Sequence, residues 1–314
     1  MAMHTLETSV AYMRDKFVPF ADAKLSIASA PVLYGLCIYT VIMVKHDPRS
    51  NNLHIFRLKD HWTRLIQSAK IMDFGDFLET WNYEKFEKTA LEALKHNQVQ
   101  ADALIRITVY VDEIMSGTRM RGLTNSLSMM VMPASTLFGK PGIEVMVSSW
   151  QRTSDAAVPA RAKINGSYAN SSLMKNEALI NGYDDALSLD ERGHVCESTV
   201  ANVFLVRERV VITPENAASL LEGITRRSII ELAHELDIPI ECRAVDRSEL
   251  YIADEIFLSG TTARLTPVLS VDRRQVGNGT TGPVTKQLMV ALESASSGTN
   301  KRYKTWLTTL STVT

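Results

Sequence analysis

The chain has 314 residues, of which 45% are hydrophobic and 22% charged, and a formal net charge of -1. That is enough apolar material for two domains around one cleft, and it excludes the basic excess that binding to nucleic acid requires. No apolar run reaches the length of a bilayer span, and Cys37, Cys196 and Cys242 show no CxxC spacing. A membrane protein, a metal site and a disulfide framework are therefore set aside. With no signal-peptide core in residues 1–20, the expected compartment is the cytoplasm.

In chain order, the β-branched and aromatic residues of the first fifty positions predict strands around Val18, at 25–27 and over 32–44, then another over 53–56. Trp62, Leu65, Ile66 and Ala69 recur at helical spacing and predict a helix over 61–72; Phe86, Ala90, Leu91 and Leu94 predict a second over 83–96. Strands are expected over 103–111 and 127–132. Two prolines and two glycines between Pro133 and Gly142 mark a connector between domains. Beyond it come a strand over 143–149, a helix over 168–181 closed by Gly182, and a strand–turn–strand–strand series over 184–213. A helix over 225–236 and a strand over 238–244 follow. A short helix with Ser248 as N-cap is expected through 254, then strands over 256–259 and 265–271, and a last helix after Gly282. The Ser/Thr-rich tail after Glu293 is expected to fray.

Five short features bear chemistry. Lys163 stands just before a helix; such a lysine is ordinarily solvated, and the sharper alternative is an amine desolvated enough to form a Schiff base. Glu197 closes a strand, either as a turn carboxylate or as the partner of a pyridinium nitrogen. The run Leu221-Glu222-Gly223-Ile224-Thr225-Arg226 leads into a helix whose N-terminal amides suit a phosphate, or form an ordinary helix start. The turn Ser259-Gly260-Thr261-Thr262 offers amides and hydroxyls to an anion, or merely closes a hairpin. Arg57 is either a surface residue or a guanidinium on phosphate.

Taken in this order, with Leu33-Tyr34-Gly35, Phe56-Arg57, Arg64-Leu65, Ser68-Ala69-Lys70, Ser148 to Arg152, Asn202-Val203-Phe204 and Thr266-Pro267-Val268, the chain resembles the branched-chain aminotransferase-like family of fold-type IV pyridoxal phosphate enzymes. The likeness runs from about Phe17 to Lys286. It implies an α/β (α+β) protein with a smaller N-terminal α/β domain over 1–132, a linker over 133–142 and a larger, β-rich C-terminal domain over 143–314, with the cofactor in the cleft between them. The lysine matching Lys163 holds pyridoxal 5'-phosphate as a Schiff base and shuttles the substrate proton. Glu197 matches the carboxylate on the pyridine nitrogen, and Tyr168 the tyrosine on the phenolic oxygen. Arg57, Ile224, Thr225 and Thr261 match the phosphate cup. Thr262 matches an amide donor to the substrate carboxylate. Tyr34 matches a residue that reaches the neighbouring subunit's substrate site, which implies a homodimer.

The resemblance weakens on the substrate side. Tyr39 keeps an aromatic place and Arg106 matches an arginine that assists carboxylate binding. Val41 stands for a glycine, Met43 for an arginine, Leu104 for a tyrosine, and Ala134 and Leu137 for two aromatics of the pocket wall. Arg119 and Arg121 lie in a loop, either solvated or available to a second carboxylate. Three readings follow. The first is a transaminase exchanging an amino group between a hydrophobic, branched-chain-like L-amino acid and 2-oxoglutarate by a ping-pong cycle. The second is a transaminase of D-amino acids or (R)-amines, with aminodeoxychorismate lyase as a more distant relative. The third is a binding protein that keeps the cofactor without turnover.

Overall fold

The structure is a computed structural model that describes residues 9–134, 137–216 and 219–311. Two compact units divide the chain. The first takes Met1–Ser135 and also Ala162–Gly166 and Ala295–Thr314. The second takes Thr136–Arg161 and Ser167–Ser294. This division departs from a simple cut at the connector, because the lysine segment and the chain's end both group with the N-terminal unit. Ser135 and Thr136, within the expected linker, lie outside the described residues.

The first unit is an antiparallel sheet with helices on one face. Strands β1 (Val10–Met13) and β2 (Lys16–Pro19) form a hairpin whose two turn residues, Arg14 and Asp15, both have positive φ, the geometry that matches strand twist. Helix α1 (Ala30–Tyr34) precedes β3 (Cys37–Asp47) and β4 (Asn52–Phe56). Helices α2 (Leu58–Ile71), α3 (Gly75–Thr80) and α4 (Tyr83–His96) come next, followed by β5 (Ala103–Val111) and β6 (Asn125–Pro133). At the other end of the chain a 3-10 helix, Lys301–Trp306, leads into β16 (Leu307–Ser311). The strand order is β16-β4-β3-β5-β6-β1-β2.

Alternation sorts this sheet into two faces. Thr40, Ile42, Ile105 and Ile107 turn toward the helices and are wholly buried, with Thr40 hydrogen-bonded to His61 and Arg64 of α2. Tyr39, Val41 and Met43 of β3 alternate with them, and the register sets Thr108, Arg106 and Leu104 of β5 opposite.

The second unit is built on β7 (Ile143–Val147), α5 (Tyr168–Ile180), β8 (Asp185–Leu189), β9 (Val195–Ser198), β10 (Asn202–Arg207) and β11 (Val210–Pro214). It continues through α6 (Ile224–Glu235), β12 (Ile240–Arg243), a 3-10 turn (Arg247–Tyr251), β13 (Glu255–Gly260), β14 (Arg264–Val271), the two-residue β15 (Arg274–Gln275) and α7 (Pro283–Ser296). Its strands run β12-β11-β10-β13-β14-β7-β8-β9, and a further pairing of β9 with β10 closes the last six into a ring. The ring is filled by Val145, Leu187, Val203, Leu205, Leu258 and their neighbours.

Several expectations need correction. Residues 25–27 form no strand, and 32–34 belong to α1 rather than to a long strand, because Pro31 at the helix start and Gly35 at its left-handed C-cap (φ 67°) favour a short helix over their apolar neighbours. The short helix near 248 is a 3-10 turn capped by Asp246, whose carboxylate and Glu249 form a reciprocal capping box; Ser248 lies inside it. Helix α3 has no counterpart among the expectations. The tail does not fray over its described part: β16 pairs with β4 from Leu307 opposite Phe56 to Ser311 opposite Asn52.

Candidate active site

In the first unit, Lys163 is set by its backbone. Strand β4 pairs with β3 only from Val44 onward, which leaves the same edge of β3 open at residues 37–39. The segment 162–166 takes that edge: Tyr39 N–H donates to Lys163 C=O (2.9 Å), Asn165 N–H donates to Cys37 C=O (2.9 Å), and Ile164 bridges Ile38. Lys163 N–H donates to the hydroxyl of Ser68 on α2 (3.2 Å), and that hydroxyl donates to Arg64 C=O. Gly35 lies so close that a Cβ there would stand 2.8 Å from Gly166 Cα. The ammonium of Lys163 is 4.8 Å from the centre of the Tyr39 ring, and the guanidinium of Arg106 stacks on the same ring at 4.0 Å. Met43 stands directly opposite Leu104, and both are buried. Beyond them Lys45 pairs with Asp102 (2.7 Å), and Ala134 N–H donates to Asp102 C=O.

Arg57 is a buried N-cap in the left-handed region (φ 56°, ψ 37°), between β4 and α2. Its side chain reaches Asp60 (3.2 Å) and lies 3.5 Å above the indole of Trp306. Tyr34, the last residue of α1, is 47% exposed; Val32, Leu33, Ile27, Ile114 and Met115 are exposed apolar residues of the same unit. Arg121 is bound to Asp73 (2.6 Å) on the surface.

In the second unit, Glu197 owes its place to the closure of the ring. It pairs with Asn202 across β9 and β10, and Asn202 in turn pairs with Ser259 on β13, so three polar residues form a row. The Glu197 carboxylate accepts from Arg152 (2.8 Å), from the side-chain amide of Asn202 (3.1 Å) and from Leu221 N–H (3.3 Å). Arg152 and Glu197 are 10% and 8% exposed at their side chains, so this is a desolvated, charge-assisted contact. Among the described residues, the buried hydroxyl of Ser259 has no hydrogen-bond partner.

Asn202 also bonds Leu221 C=O and so fixes the approach to α6. The next residue but one must be glycine: a Cβ on Gly223 would meet the Asn202 Oδ1 at 2.1 Å. Gly223 is the N-cap of α6, with no side-chain cap and no acidic residue in the first turn, while Ile224 and Thr225 are buried. A helix start of that kind is suited to an anion. Thr261 and Thr262 occupy the turn between β13 and β14, where Thr262 C=O accepts from Leu137. Tyr168 is the first residue of α5.

Burial pushes the thiol of Cys37 up to about 11 and that of Cys196 higher still, so neither neighbour of Lys163 or Glu197 supplies a thiolate. Among the described residues, no three His, Cys, Asp or Glu side chains are grouped to hold a metal ion.

Sequence reading placed Arg152, Asn202 and Ser68 only inside matching stretches and gave them no role. Trp306 it missed altogether. Asn202 carried a weak signal, as a polar residue inside a strand-like run, and Arg152 a weaker one, as a lone cation just past the end of another; Trp306 carried none, because its contact arises from a strand pairing with the far end of the chain.

The site and fold have counterparts. Residues 38–271 match the profile of the Amino-transferase class IV family, and the chain belongs to that family: it is a transaminase of the fold-type IV architecture. A probable branched-chain-amino-acid aminotransferase of Aquifex aeolicus (strain VF5) is 36% identical over 301 residues, covering 95% of this chain and 96% of the relative. A branched-chain aminotransferase from the archaeon Thermoproteus uzoniensis, solved with norvaline, superposes with a TM-score of 0.91 at 32% identity, covering 96% and 99% of the two chains. The branched-chain amino acid aminotransferase of T.th., solved in complex with N-(5'-phosphopyridoxyl)-L-glutamate, gives 0.88 at 32% identity over 97% and 99%.

Proposed function

We propose that this transaminase uses pyridoxal 5'-phosphate to exchange an amino group between a hydrophobic, branched-chain-like L-amino acid and 2-oxoglutarate in a ping-pong cycle. The observation that carries the reading is the way Lys163 is pinned along the free edge of β3, with its ammonium beside Tyr39. The residues fit the cofactor by the chemistry of their donors. The second unit offers a helix start with no side-chain cap, a buried hydroxyl at Ser259 with no partner among the described residues, and a carboxylate held for a ring nitrogen. The relatives solved with norvaline and with a phosphopyridoxyl glutamate support both substrates.

When bound, the cofactor ring supplies an electron sink for the substrate carbanion. Lys163 Nζ would take the proton from the substrate Cα and pass it to C4′ of the cofactor, on the other side of the nitrogen being transferred. Glu197 presents its carboxylate to the pyridine nitrogen, held by Arg152 and Asn202. Tyr168 donates its hydroxyl to the phenolic oxygen. The α6 amides of Ile224 and Thr225, Thr261 and the Arg57 guanidinium take the phosphate. Arg106, oriented on Tyr39, and the amide of Thr262 take the substrate carboxylate, while Leu104 and Ala134 bound its side chain and Tyr34 reaches toward the neighbouring subunit's substrate site. The exposed apolar residues around Tyr34 support a homodimer. Three free thiols, two of them buried, suit a cytoplasmic setting. No helix among the described residues is long and apolar enough to cross a membrane.

The buried Met43–Leu104 pair favours a second reading, of D-amino acids or (R)-amines as donors, because the resemblance sets an arginine and a tyrosine at these positions. Titration of the cofactor-loaded protein with L-leucine separates the two. The visible band of the lysine-bound cofactor is expected to give way to that of the aminated cofactor. A band that persists with L-leucine but falls with D-alanine or (R)-1-phenylethylamine transfers the assignment to the second reading. Lys163→Ala is expected to abolish both responses, and full turnover in that variant overturns the mechanism.

A further inference from the structure

Trp306 meets Arg57 through both its ring and its backbone carbonyl. The guanidinium carbon lies 3.5 Å above the centre of the indole, so the two planes are in contact. The Arg57 N–H donates to Trp306 C=O at 2.6 Å, which ties the same two residues through their backbones. The indole is itself braced: Phe56 meets it edge-on at 6.0 Å, and buried Tyr303 packs against it at 4.7 Å. Behind it, β16 runs along β4, the strand that ends one residue before Arg57.

This geometry has a chemical consequence. A guanidinium carries its five N–H donors around its edge and none on its faces. Stacking on indole therefore fixes its plane without consuming a donor, while Nη1 at the edge donates to Asp60 at 3.2 Å. Arg57 also sits in the left-handed region that a non-glycine residue occupies only when its surroundings hold it there. The Trp306 carbonyl and ring supply two such restraints.

We propose that Trp306, with the C-terminal segment that carries it, is a positioning residue for phosphate binding: it presents the Arg57 guanidinium edge-on to the cofactor phosphate, so that the end of the chain sets cofactor affinity. The inference rests on the reading of Arg57 as a phosphate ligand. It assigns a role in the site to a stretch that contacts no reacting atom.

The test compares affinities of the full-length apoprotein for pyridoxal 5'-phosphate and for pyridoxal, which lacks the phosphate. Both are followed by the visible band of the lysine-bound form. Trp306→Ala is expected to weaken binding of the phosphorylated form on the order of ten-fold, the scale of a desolvated cation–ring contact, and to leave pyridoxal binding nearly unchanged. Trp306→Phe, which keeps a ring face, is expected to recover most of the loss. Equal weakening for both ligands, or wild-type affinity for the phosphorylated form in Trp306→Ala, overturns the proposal. Arg57→Ala distinguishes the premise: if it weakens phosphate-dependent binding while Trp306→Ala does not, only the positioning role falls. If Arg57→Ala itself leaves binding unchanged, the phosphate reading of Arg57 falls and takes the proposal with it.

Discussion

Arg152→Met tests the buried pair that holds Glu197. The two side chains are 10% and 8% exposed and 2.8 Å apart, so removing the guanidinium leaves a carboxylate in a site that water scarcely reaches. Breaking a buried pair in this way costs about 3–5 kcal/mol. The side-chain amide of Asn202 and the Leu221 N–H remain on the carboxylate, which puts the expected loss at the lower end, about 3 kcal/mol. The assay is the urea midpoint of the apoprotein at neutral pH, with the cofactor left out so that binding does not mask folding. A companion variant, Arg152→Met with Glu197→Gln, removes the stranded charge and is expected to regain most of the stability. On the proposed role of Glu197 at the pyridine nitrogen it is not expected to regain transamination, because an amide would not keep that nitrogen protonated as a carboxylate does. A single variant within about 1 kcal/mol of the wild type that also retains its activity refutes the reasoning: Glu197 would then be held well enough without Arg152, by its strand register and its remaining hydrogen bonds.

Two further predictions follow from the same geometry. Gly35→Ala places a Cβ 2.8 Å from Gly166 Cα at φ 67°, costing about 1–2 kcal/mol in backbone conformation alone; it is expected to displace the Lys163 segment and diminish the lysine-bound cofactor band, with the far-ultraviolet circular dichroism retained. Glu249 bonds Arg243 and Arg207, and the Arg243 contact above all lowers it from 4.5 to about 2. A carboxylate depressed in the folded state stabilises fully above its unfolded value and loses that contribution as pH falls toward its folded one. Urea midpoints should therefore hold steady down to pH 4.5 on this account and fall between there and about 2, and Glu249→Gln should flatten that segment.

Much of the fold was legible because its long elements repeat a single period. Helix α4 and strand β5 fall at the residues their patterns indicate, since fourteen and nine residues give a period room to declare itself. Helix α1 has five residues, too few for periodicity to separate it from the strand that follows. Its signals were in the punctuation, Pro31 and Gly35, which the apolar run around them outweighed. The tail misled for a different reason. Threonine is poor company for a helix but a good residue for a strand, and Leu307-Thr308-Thr309-Leu310 needed only β4 to pair with. Composition describes a segment on its own, whereas β16 exists because of a strand from the far end of the sequence.

The same distinction divides the site. Lys163, Glu197, Arg57 and the start of α6 could be singled out as candidates because a Schiff base, a ring nitrogen and a phosphate each ask for a particular kind of group; type left each of them ambiguous, and their order along the chain joined them through the resemblance. The residues that hold those groups answer to geometry instead. Asn202 matters because it faces Glu197 across a ring closure and crowds Gly223. Ser68 does so by lying under the backbone of Lys163, and Trp306 by arriving beneath Arg57 from the other end of the chain. Any of several side chains could satisfy such a requirement in another register, so type alone carries little information about it. Positioning residues therefore become visible only once strand pairing is known, and in this chain the pairing concerned is of the longest range: β16 with β4, and the segment 162–166 with the edge of β3.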